Sequence, residues 1–217
     1  MDFDWSVIGL ALPLLAHGAL VTMGISAVAI LLATLGGLLL GLLALSSWRW
    51  ARLLVAGYVD FVRGTPLLIQ IFLIFFVLPS LGLRLSETWA GIVALALNGT
   101  GYIAEIVRGT VGAVEQGQSE AARSIGLTRW QALVHVLLPQ ALRPMLPPLT
   151  NELITLVKNS SLLSVISVYE LTRAGQAIIA TYFVPLEIYL LLALFYYVII
   201  TALARLSRAV ERRLPAW

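Results

Sequence analysis

A long apolar run near the start of the chain, residues 17–45, contains no Asp, Glu, Lys or Arg. About 20 mostly apolar residues are enough for an α-helix to cross the hydrocarbon core of a bilayer. The 217 residues are 60% hydrophobic and 12% charged, whereas a soluble domain is roughly half apolar and about a quarter charged. The sequence therefore predicts an all-α integral membrane protein, in which residues 1–217 form one transmembrane domain.

Four more apolar runs follow the first, which gives five predicted transmembrane helices. The predicted spans are residues 17–45, 53–78, 88–107, 149–171 and 186–206. Pro66 lies inside the second span and predicts a kink there, because proline lacks an N–H and clashes with the preceding turn. The fourth span is the least apolar, since it contains Glu152 and Lys158. Residues 108–148 form a long loop between the third and fourth spans.

The arginines that flank the spans predict their orientation, because Lys and Arg are enriched on the cytoplasmic side of membrane proteins. One side carries Arg49, Arg52, Arg108, Arg123, Arg129, Arg143, Arg205, Arg208, Arg212 and Arg213. The opposite side carries Arg84 and Arg173, and Asp2 and Asp4 precede the first span. We therefore expect the N-terminus outside, and the C-terminus and the loop 108–148 in the cytoplasm.

The segment EAARSIGLTRW, residues 120–130, is too polar to lie in lipid and has a helical composition. Ser119 is a predicted N-cap, and Gly126 fits the left-handed position that ends many helices. Thr128 and Gln131 form a T-x-x-Q capping box, which predicts the start of a second helix. The loop is thus expected to contain two short helices joined by a turn.

Two prolines, Pro139 and Pro144, are expected to bend or end the second of these helices. From the residues alone, two interpretations of the helix pair stay open. It either covers the end of the helix bundle or binds a partner protein, since capping signals indicate only that the loop is folded.

Polar residues recur at a similar depth in three spans. At about 1.5 Å per residue, Arg63–Thr65, Asn98 and Lys158–Ser161 lie roughly 15–20 Å from the cytoplasmic end. A charge in lipid costs at least about 2.5 kcal/mol, so these groups should face each other or a wet cavity. Asn98, Tyr102 and Glu105 share one face of the third span, at positions i, i+4 and i+7.

Two structural interpretations of these polar residues also remain open. The Asn and Ser side chains could hold neighbouring helices together through hydrogen bonds. Arg63 and Lys158 could form buried ion pairs with Asp60, Glu105 or Glu152.

Several functional classes can be compared on motifs. The chain contains no Cys and no G-x-x-x-x-G-K-[ST] loop, so a cysteine metal site and an ATP-binding P-loop in this chain are excluded. An ion- or proton-coupled secondary carrier is one open class, with Arg63, Glu105 and Lys158 as charge relays. An intramembrane hydrolase with a Ser161–Lys158 pair is the weakest, because H-E-x-x-H and G-x-S-x-G are both absent.

The loop segment resembles the signature of ABC-importer permeases: E-A-A, three residues, Gly, nine residues, then I-x-L-P. Here the last element reads VLLP, with Val136 in place of Ile. The segments FVRGTPLLIQIFLIFF, LNGTGYIAEIVRG, GQSEAA and LVKNSSLLSVISVYEL are similar to the polar amino acid subgroup, of the histidine, glutamine and cystine type. The resemblance covers residues 18–210.

This resemblance implies the type I ABC importer permease fold, with a cytoplasmic coupling helix that sits in a groove of a separate ATPase. The residues it assigns to this contact are Glu120, Ala121, Ala122, Gly126 and Leu127. Taken with the polar clusters, it implies a substrate pathway along Arg63, Thr65, Asn98, Tyr102, Glu105, Lys158, Asn159, Ser160 and Ser161. Relatives commonly carry Asp where this chain has Asn159, and an amide accepts hydrogen bonds without neutralising an ammonium group.

The resemblance also implies the partners. They are an ABC ATPase dimer, a second permease chain, identical or homologous, an extracytoplasmic substrate-binding protein, the lipid bilayer and an amino acid substrate. ATP and Mg would be bound by the ATPase, so we expect no cofactor, metal site, catalytic residue or nucleic-acid partner in this chain. The expected location is the bacterial cytoplasmic (inner) membrane, which the chain crosses several times.

Overall fold

The computed structural model describes residues 5–212 and shows an all-helical chain, as the sequence predicts. The helices are α1 (Ser6–Ala44), α2 (Arg49–Gly64), α3 (Leu67–Phe72), α4 (Glu87–Gly112), α5 (Gln116–Ser124), α6 (Arg129–Ala132), α7 (Leu138–Asn159), α8 (Leu171–Tyr182) and α9 (Pro185–Glu211). Leu73–Val77 and Leu133–Leu137 are π-helical, and Leu78–Leu81 and Ser160–Ile166 are 3₁₀-helical. Three residues of the charge argument, Asp2, Asp4 and Arg213, lie outside the described residues.

Within residues 5–212, three helical segments are long and apolar enough to cross a bilayer: Val7–Ala44, Glu87–Gly112 and Pro185–Ala209. The pair Arg49–Gly64 and Leu67–Leu81 meets the same criterion together. The first span was predicted to begin too late: the apolar sequence continues N-terminally to Ser6, and Pro13 lies inside the helix.

The fourth predicted span, residues 149–171, is not one helix. Its first part belongs to α7, which ends at Asn159, and the 3₁₀ segment Ser160–Ile166 follows. The prediction of a single helix was wrong because Ser160, Ser161 and Ser164 each donate a side-chain hydrogen bond to a carbonyl three residues earlier. Such local bonds compete with the regular helical ladder.

The second predicted span is broken at Pro66, where the two halves meet at an angle of 107°. Thr65 and Pro66 are both extended, because the proline ring disfavours a helical conformation at the residue before it. Gln70 then closes the break: its Nε2 donates to the carbonyls of Val62 and Thr65 at 3.0 and 3.2 Å. The kink expected at Pro66 is therefore confirmed, and the carbonyls freed by it are satisfied within the chain.

Helix α4 lies at the centre of the bundle and packs most extensively on α1. Glycines allow this close approach: a Cβ added to Gly37 would lie 2.5 Å from Cβ of Ile103, and one added to Gly41 would lie 2.6 Å from Cβ of Val107. Small residues at such positions let helix backbones approach each other in membrane proteins. The α1–α4 pair is thus the scaffold on which α2, α3 and α7 are arranged.

A buried carboxylate joins the last two helices to the first. Glu170 is fully buried and caps α8 by accepting hydrogen bonds from the backbone N–H groups of Thr172 and Arg173 at 2.9 and 2.8 Å. Its Oε2 also accepts from Thr22 of α1 at 3.3 Å and from Tyr196 of α9 at 3.1 Å. These four bonds satisfy a group that would be costly to bury alone.

Candidate functional site

A polar cleft of about 460 Å³ lies beside the break in the second span. It is lined by Arg63, Gly64, Thr65, Pro66, Leu67, Asn98, Tyr102, Glu152, Thr155 and Asn159. These residues come from α2, α3, α4 and α7. The Pro66 break supplies one wall because the chain turns away there.

Five of the nine residues predicted for the substrate pathway meet in this cleft: Arg63, Thr65, Asn98, Tyr102 and Asn159. They are far apart in the sequence, and the prediction that they face a common cavity is confirmed for these five. Their side chains offer a guanidinium group, two hydroxyls and two amides.

Hydrogen bonds fix two of these side chains in place. Asn98 is buried, and its Nδ2 donates to Oε1 of Gln70 at 3.2 Å. The hydroxyl of Thr65 accepts from Nε2 of Gln70 at 2.9 Å and donates to the carbonyl of Phe61 at 2.8 Å. Gln70 therefore links the break of the second span to α4, and Thr65 has already used its donor.

Glu105 lies outside this cleft and is bound to two arginines. Arg108 donates from Nε and Nη2 to the two carboxylate oxygens at 2.7 and 2.6 Å, and Nη1 of Arg63 lies 3.6 Å from Oε1. Together with Asp60 and Arg52, these three residues line a neighbouring cleft of about 350 Å³. Of the ion pairs left open for Arg63, the one with Glu105 is formed, although the side chain of Arg63 is about half exposed and the pair is not buried.

The remaining three predicted residues line neither cleft. Lys158 is exposed on α7, and within residues 5–212 no carboxylate lies within 4.0 Å of its ammonium group, so the ion pair considered for it is not formed. Ser160 is fully buried and donates to the carbonyl of Val157, while Ser161 donates to the carbonyl of Lys158. These two hydroxyls stabilise the end of α7.

Three residues of this region were not assigned to the site from sequence. Gln70 is not among the residues that line the cleft, but it orients Asn98 and Thr65. It is a lone polar residue in the apolar run PLLIQIFLIFF, which is a signal that could have identified it. Glu152 and Thr155 lie on the face of α7 that carries Asn159. Their spacing of three and seven residues from Glu152 is that of one helix face.

The second candidate site is the helix pair α5–α6. Gly126 has a φ of 92°, which glycine adopts without the strain that a Cβ would cause. Its N–H donates to the carbonyl of Arg123, and the N–H of Leu127 donates to the carbonyl of Ala122. This is the Schellman arrangement, so Gly126 is confirmed as the helix stop. Thr128 and Gln131 form the predicted capping box at the start of α6.

One prediction for this segment was wrong. Ser119 does not cap α5, because the helix begins earlier, at Gln116, and Ser119 lies inside it. Of the bend or end expected at Pro139 and Pro144, the end is not found, since α7 runs through Pro144 to Asn159. The regular helix is interrupted just before Pro139 by the π-helical turn Leu133–Leu137, and proline disturbs the helical hydrogen-bond ladder because it lacks an N–H.

The five residues predicted to contact an ATPase divide by exposure. Glu120, Ala121 and Gly126 are exposed, Ala122 is buried, and Leu127 is partly buried. Ile125, which was not predicted, is 80% exposed. Ile125 is thus an exposed apolar side chain directly before the turn at Gly126.

Comparison with known proteins identifies the protein family to which this chain belongs. The family described as binding-protein-dependent transport system inner membrane component matches residues 33–215. The chain belongs to this family. It is a permease subunit of an ABC transporter, and the resemblance found in the EAA segment is confirmed.

Relatives of this permease are similar over their whole length. The glutamine transport system permease protein of Escherichia coli (strain K12) is 43% identical over 221 residues, which is 99% of each chain. The arginine transport system permease protein of Bacillus subtilis (strain 168) is 36% identical over 218 residues, 100% of this chain and 99% of the relative.

Solved structures support the same fold. The crystal structure of an amino acid ABC transporter with histidines matches with a TM-score of 0.91 and 36% identity, over 99% of this chain and 100% of that one. An inward-facing methionine ABC transporter matches with a TM-score of 0.72 and 27% identity, over 91% of this chain and 96% of that one. The permease therefore has the fold of the ABC importers named in these structures.

Proposed function

We propose that this permease moves a polar amino acid into the cytoplasm by alternating access, driven by a separate ATPase. The observation that carries the proposal is the polar cleft of about 460 Å³ at a break in a membrane helix. Broken helices beside polar cavities are where many transporters hold their cargo. Relatives named for glutamine and arginine transport support an amino acid as that cargo.

The chemistry of the cleft suits a zwitterion. The guanidinium group of Arg63 is the donor for the carboxylate, since its five N–H groups match carboxylate geometry. Oxygens of Asn98, Asn159 and Glu152 are the acceptors for the ammonium group, because carbonyl and carboxylate oxygens accept hydrogen bonds. Glu105, already bound to Arg108, holds Arg63 at the edge of the cleft.

Five spans with the N-terminus outside complete the proposed arrangement. The arginine distribution supports this orientation, which places α5 and α6 in the cytoplasm. The remaining span, residues 149–171, consists of the C-terminal half of α7 and the 3₁₀ segment Ser160–Ile166 that follows it. Its low hydropathy is tolerable because α7 packs against α1, α4 and α9, so that protein covers much of its surface. The proposed location is the bacterial cytoplasmic (inner) membrane.

The proposed partners follow from the two sites. The exposed surface of Glu120, Ala121 and Ile125 docks in a groove of the ATPase, which binds ATP and Mg. Because α5 packs on the segment Leu133–Leu137 ahead of α7, a push on α5 reaches the α7 wall of the cleft. A second permease chain covers the open side of the cleft, and an extracytoplasmic binding protein delivers the amino acid.

Uptake into proteoliposomes tests this function. The permease is reconstituted with its ATPase and binding protein, and labelled glutamine, arginine and histidine are offered in turn. We expect uptake of at least one of them only with ATP on the ATPase side, and no uptake driven by a proton or sodium gradient. Uptake driven by an ion gradient without ATP would instead support a secondary carrier.

A further inference from the structure

A cleft with three arginines lies between the α1–α2 turn and the α5–α6 pair. Its volume is about 540 Å³, and its polar lining includes Arg52, Arg123, Arg129, Ser46 and Ser119. No Asp or Glu is among the residues that line it. This cleft is separate from the one beside Pro66, and its α5 residues, Ser119 and Arg123, are not among those predicted to contact the ATPase.

None of the three arginines forms an ion pair within 4.0 Å in the described part of the chain. The ion pairs found within residues 5–212 involve Arg63 and Arg108 instead. Arg52 donates one hydrogen bond, from Nη1 to the carbonyl of Ser46 at 3.0 Å, and a guanidinium group has five N–H donors. Three like charges that line one cleft repel each other unless an anion lies between them.

A second, independent feature of the cleft is an unsatisfied polar atom. Oγ of Ser46 is buried and has no hydrogen-bond partner, although buried polar atoms are nearly always paired. Ser46 lies among the lining residues, beside Arg52. Hydroxyl and guanidinium donors together are the usual ligands of a phosphate group, whose oxygens accept paired hydrogen bonds from Arg.

The surroundings of the cleft indicate the kind of phosphate. Trp130 lines it, Trp48 and Trp50 flank it on the chain, and all three are exposed. Trp is enriched where the hydrocarbon core of a membrane meets the headgroups. Apolar side chains complete the lining, namely Leu45, Val111, Leu133 and Leu137. Cationic and apolar groups in one cleft at this level fit an amphiphile rather than a small soluble anion.

We propose that this cleft binds the headgroup phosphate of an anionic phospholipid from the leaflet that faces α5 and α6. The phosphate lies between Arg52, Arg123 and Arg129, and the start of an acyl chain lies against Leu133 and Leu137. The lipid thereby joins the α1–α2 turn to α5.

The geometry of α5 leaves its docking surface free when the lipid is bound. Ser119 and Arg123 are four residues apart and line the cleft. At 100° per residue, Ala121 lies about 200° around the helix axis from both Ser119 and Arg123, and so points almost opposite to them. An anionic lipid therefore fixes the position of α5 from one side while the opposite side stays available.

Lipid titration followed by native mass spectrometry tests the proposal. The full-length permease with its co-purifying partners is titrated in detergent with phosphatidylglycerol, for the wild type and for Arg52→Gln, Arg123→Gln and Arg129→Gln. Each loss of one arginine should weaken binding about fivefold, the change that corresponds to about 1 kcal/mol for each basic residue near anionic lipid. Arg143→Gln is the matched control, because Arg143 is an exposed arginine of the same region and does not line the cleft.

Five outcomes would overturn the assignment. Four of them are equal binding by wild type and the three cleft variants, a loss in Arg143→Gln as large as theirs, binding of phosphatidylcholine as tight as that of phosphatidylglycerol, and competition by inorganic phosphate at equal concentration. The last would assign the cleft to a soluble anion. Arg129→Lys keeps the positive charge and should still bind phosphatidylglycerol. This result supports the site even if a Gln variant fails to fold. Loss of the partner chains with unchanged lipid binding would assign the arginines to a protein contact and also refute the proposal.

Discussion

Asn98 is the residue on which the polar cleft depends most directly. It is buried on the central helix α4 and is oriented by the amide of Gln70, which also binds the carbonyls at the Pro66 break. Within residues 5–212 no group donates to its Oδ1, so this atom remains an acceptor for an ammonium group. The amide of Gln70 thus connects the break in the second span to Asn98, the proposed ligand of the cargo.

Replacing Asn98 by Leu should weaken cargo binding without preventing assembly. A hydrogen bond to a charged group contributes about 1.5–3 kcal/mol, so the amino acid concentration that half-saturates transport-coupled ATP hydrolysis should rise by roughly tenfold or more. Asn151→Leu makes the same chemical change at an exposed position of α7 outside the cleft and should leave that concentration unchanged. An Asn98→Leu permease with wild-type saturation would contradict the role given to this residue.

Polar residues within apolar sequence identified several of the residues that line the cleft. They did not show which face of a helix turns toward it. Arg63, Asn98 and Tyr102 were predictable because charge or polarity inside a span has to be shielded from lipid. Lys158 was misplaced: it is exposed on α7 and does not line the cleft, whereas Glu152, Thr155 and Asn159 of the same helix do. Which face turns inward is decided by packing against α4, which lies far away in sequence.

At the level of helices, hydropathy located α4 and α9 well, since the predicted spans 88–107 and 186–206 lie within Glu87–Gly112 and Pro185–Glu211, whereas α1 begins well before the predicted residue 17. The helix α7 was harder to predict, because Pro144, Pro147 and Pro148 lie within it. A local rule that stops helices at proline fails where neighbouring helices support the chain through the interruption. By contrast, Gly126 and the Thr128–Gln131 box were predictable since caps depend only on nearby residues.

The packing of α1 on α4 can be tested with two glycines of the same helix. A Cβ added at Gly37 would lie 2.5 Å from Cβ of Ile103, so Gly37→Val overpacks this contact. At Gly24, by contrast, no atom lies within 4 Å of an added Cβ. Overpacking costs about 1–3 kcal/mol, and each kcal/mol lowers Tm by about 2–4 °C at this chain length. The thermal unfolding of the purified complex should therefore shift for Gly37→Val and not for Gly24→Val. Equal Tm values would contradict the close contact.

The turn between α5 and α6 gives a second test at this scale. A left-handed conformation costs most residues about 1–2 kcal/mol, while Asn tolerates it. Gly126→Val should therefore distort the docking surface and reduce the amount of amino acid moved per ATP hydrolysed, and Gly126→Asn should preserve that ratio. The ratio is measured in proteoliposomes at saturating ATP. A normal ratio in the Val variant would show that the turn has no part in coupling.

At the scale of the whole molecule, a single chain leaves polar side chains exposed at positions that would face lipid. The side chain of Arg63 is 49% exposed, and a charge facing lipid costs at least about 2.5 kcal/mol. A second permease chain related by two-fold symmetry is the simplest way to cover it. The native mass of the purified complex should thus correspond to two permease chains, and an assembly with a single permease chain would be incompatible with this reasoning.

The central claim is that cargo passes through the cleft formed by α2, α3, α4 and α7, and a structure of the complete complex with its amino acid bound tests it most directly. We expect density for the amino acid within hydrogen-bond distance of Arg63 and Asn98 in at least one permease chain. Its carboxylate should face the guanidinium group, and its ammonium group should face the amide oxygens. Density at a position remote from this cleft in both permease chains would contradict the account of the site.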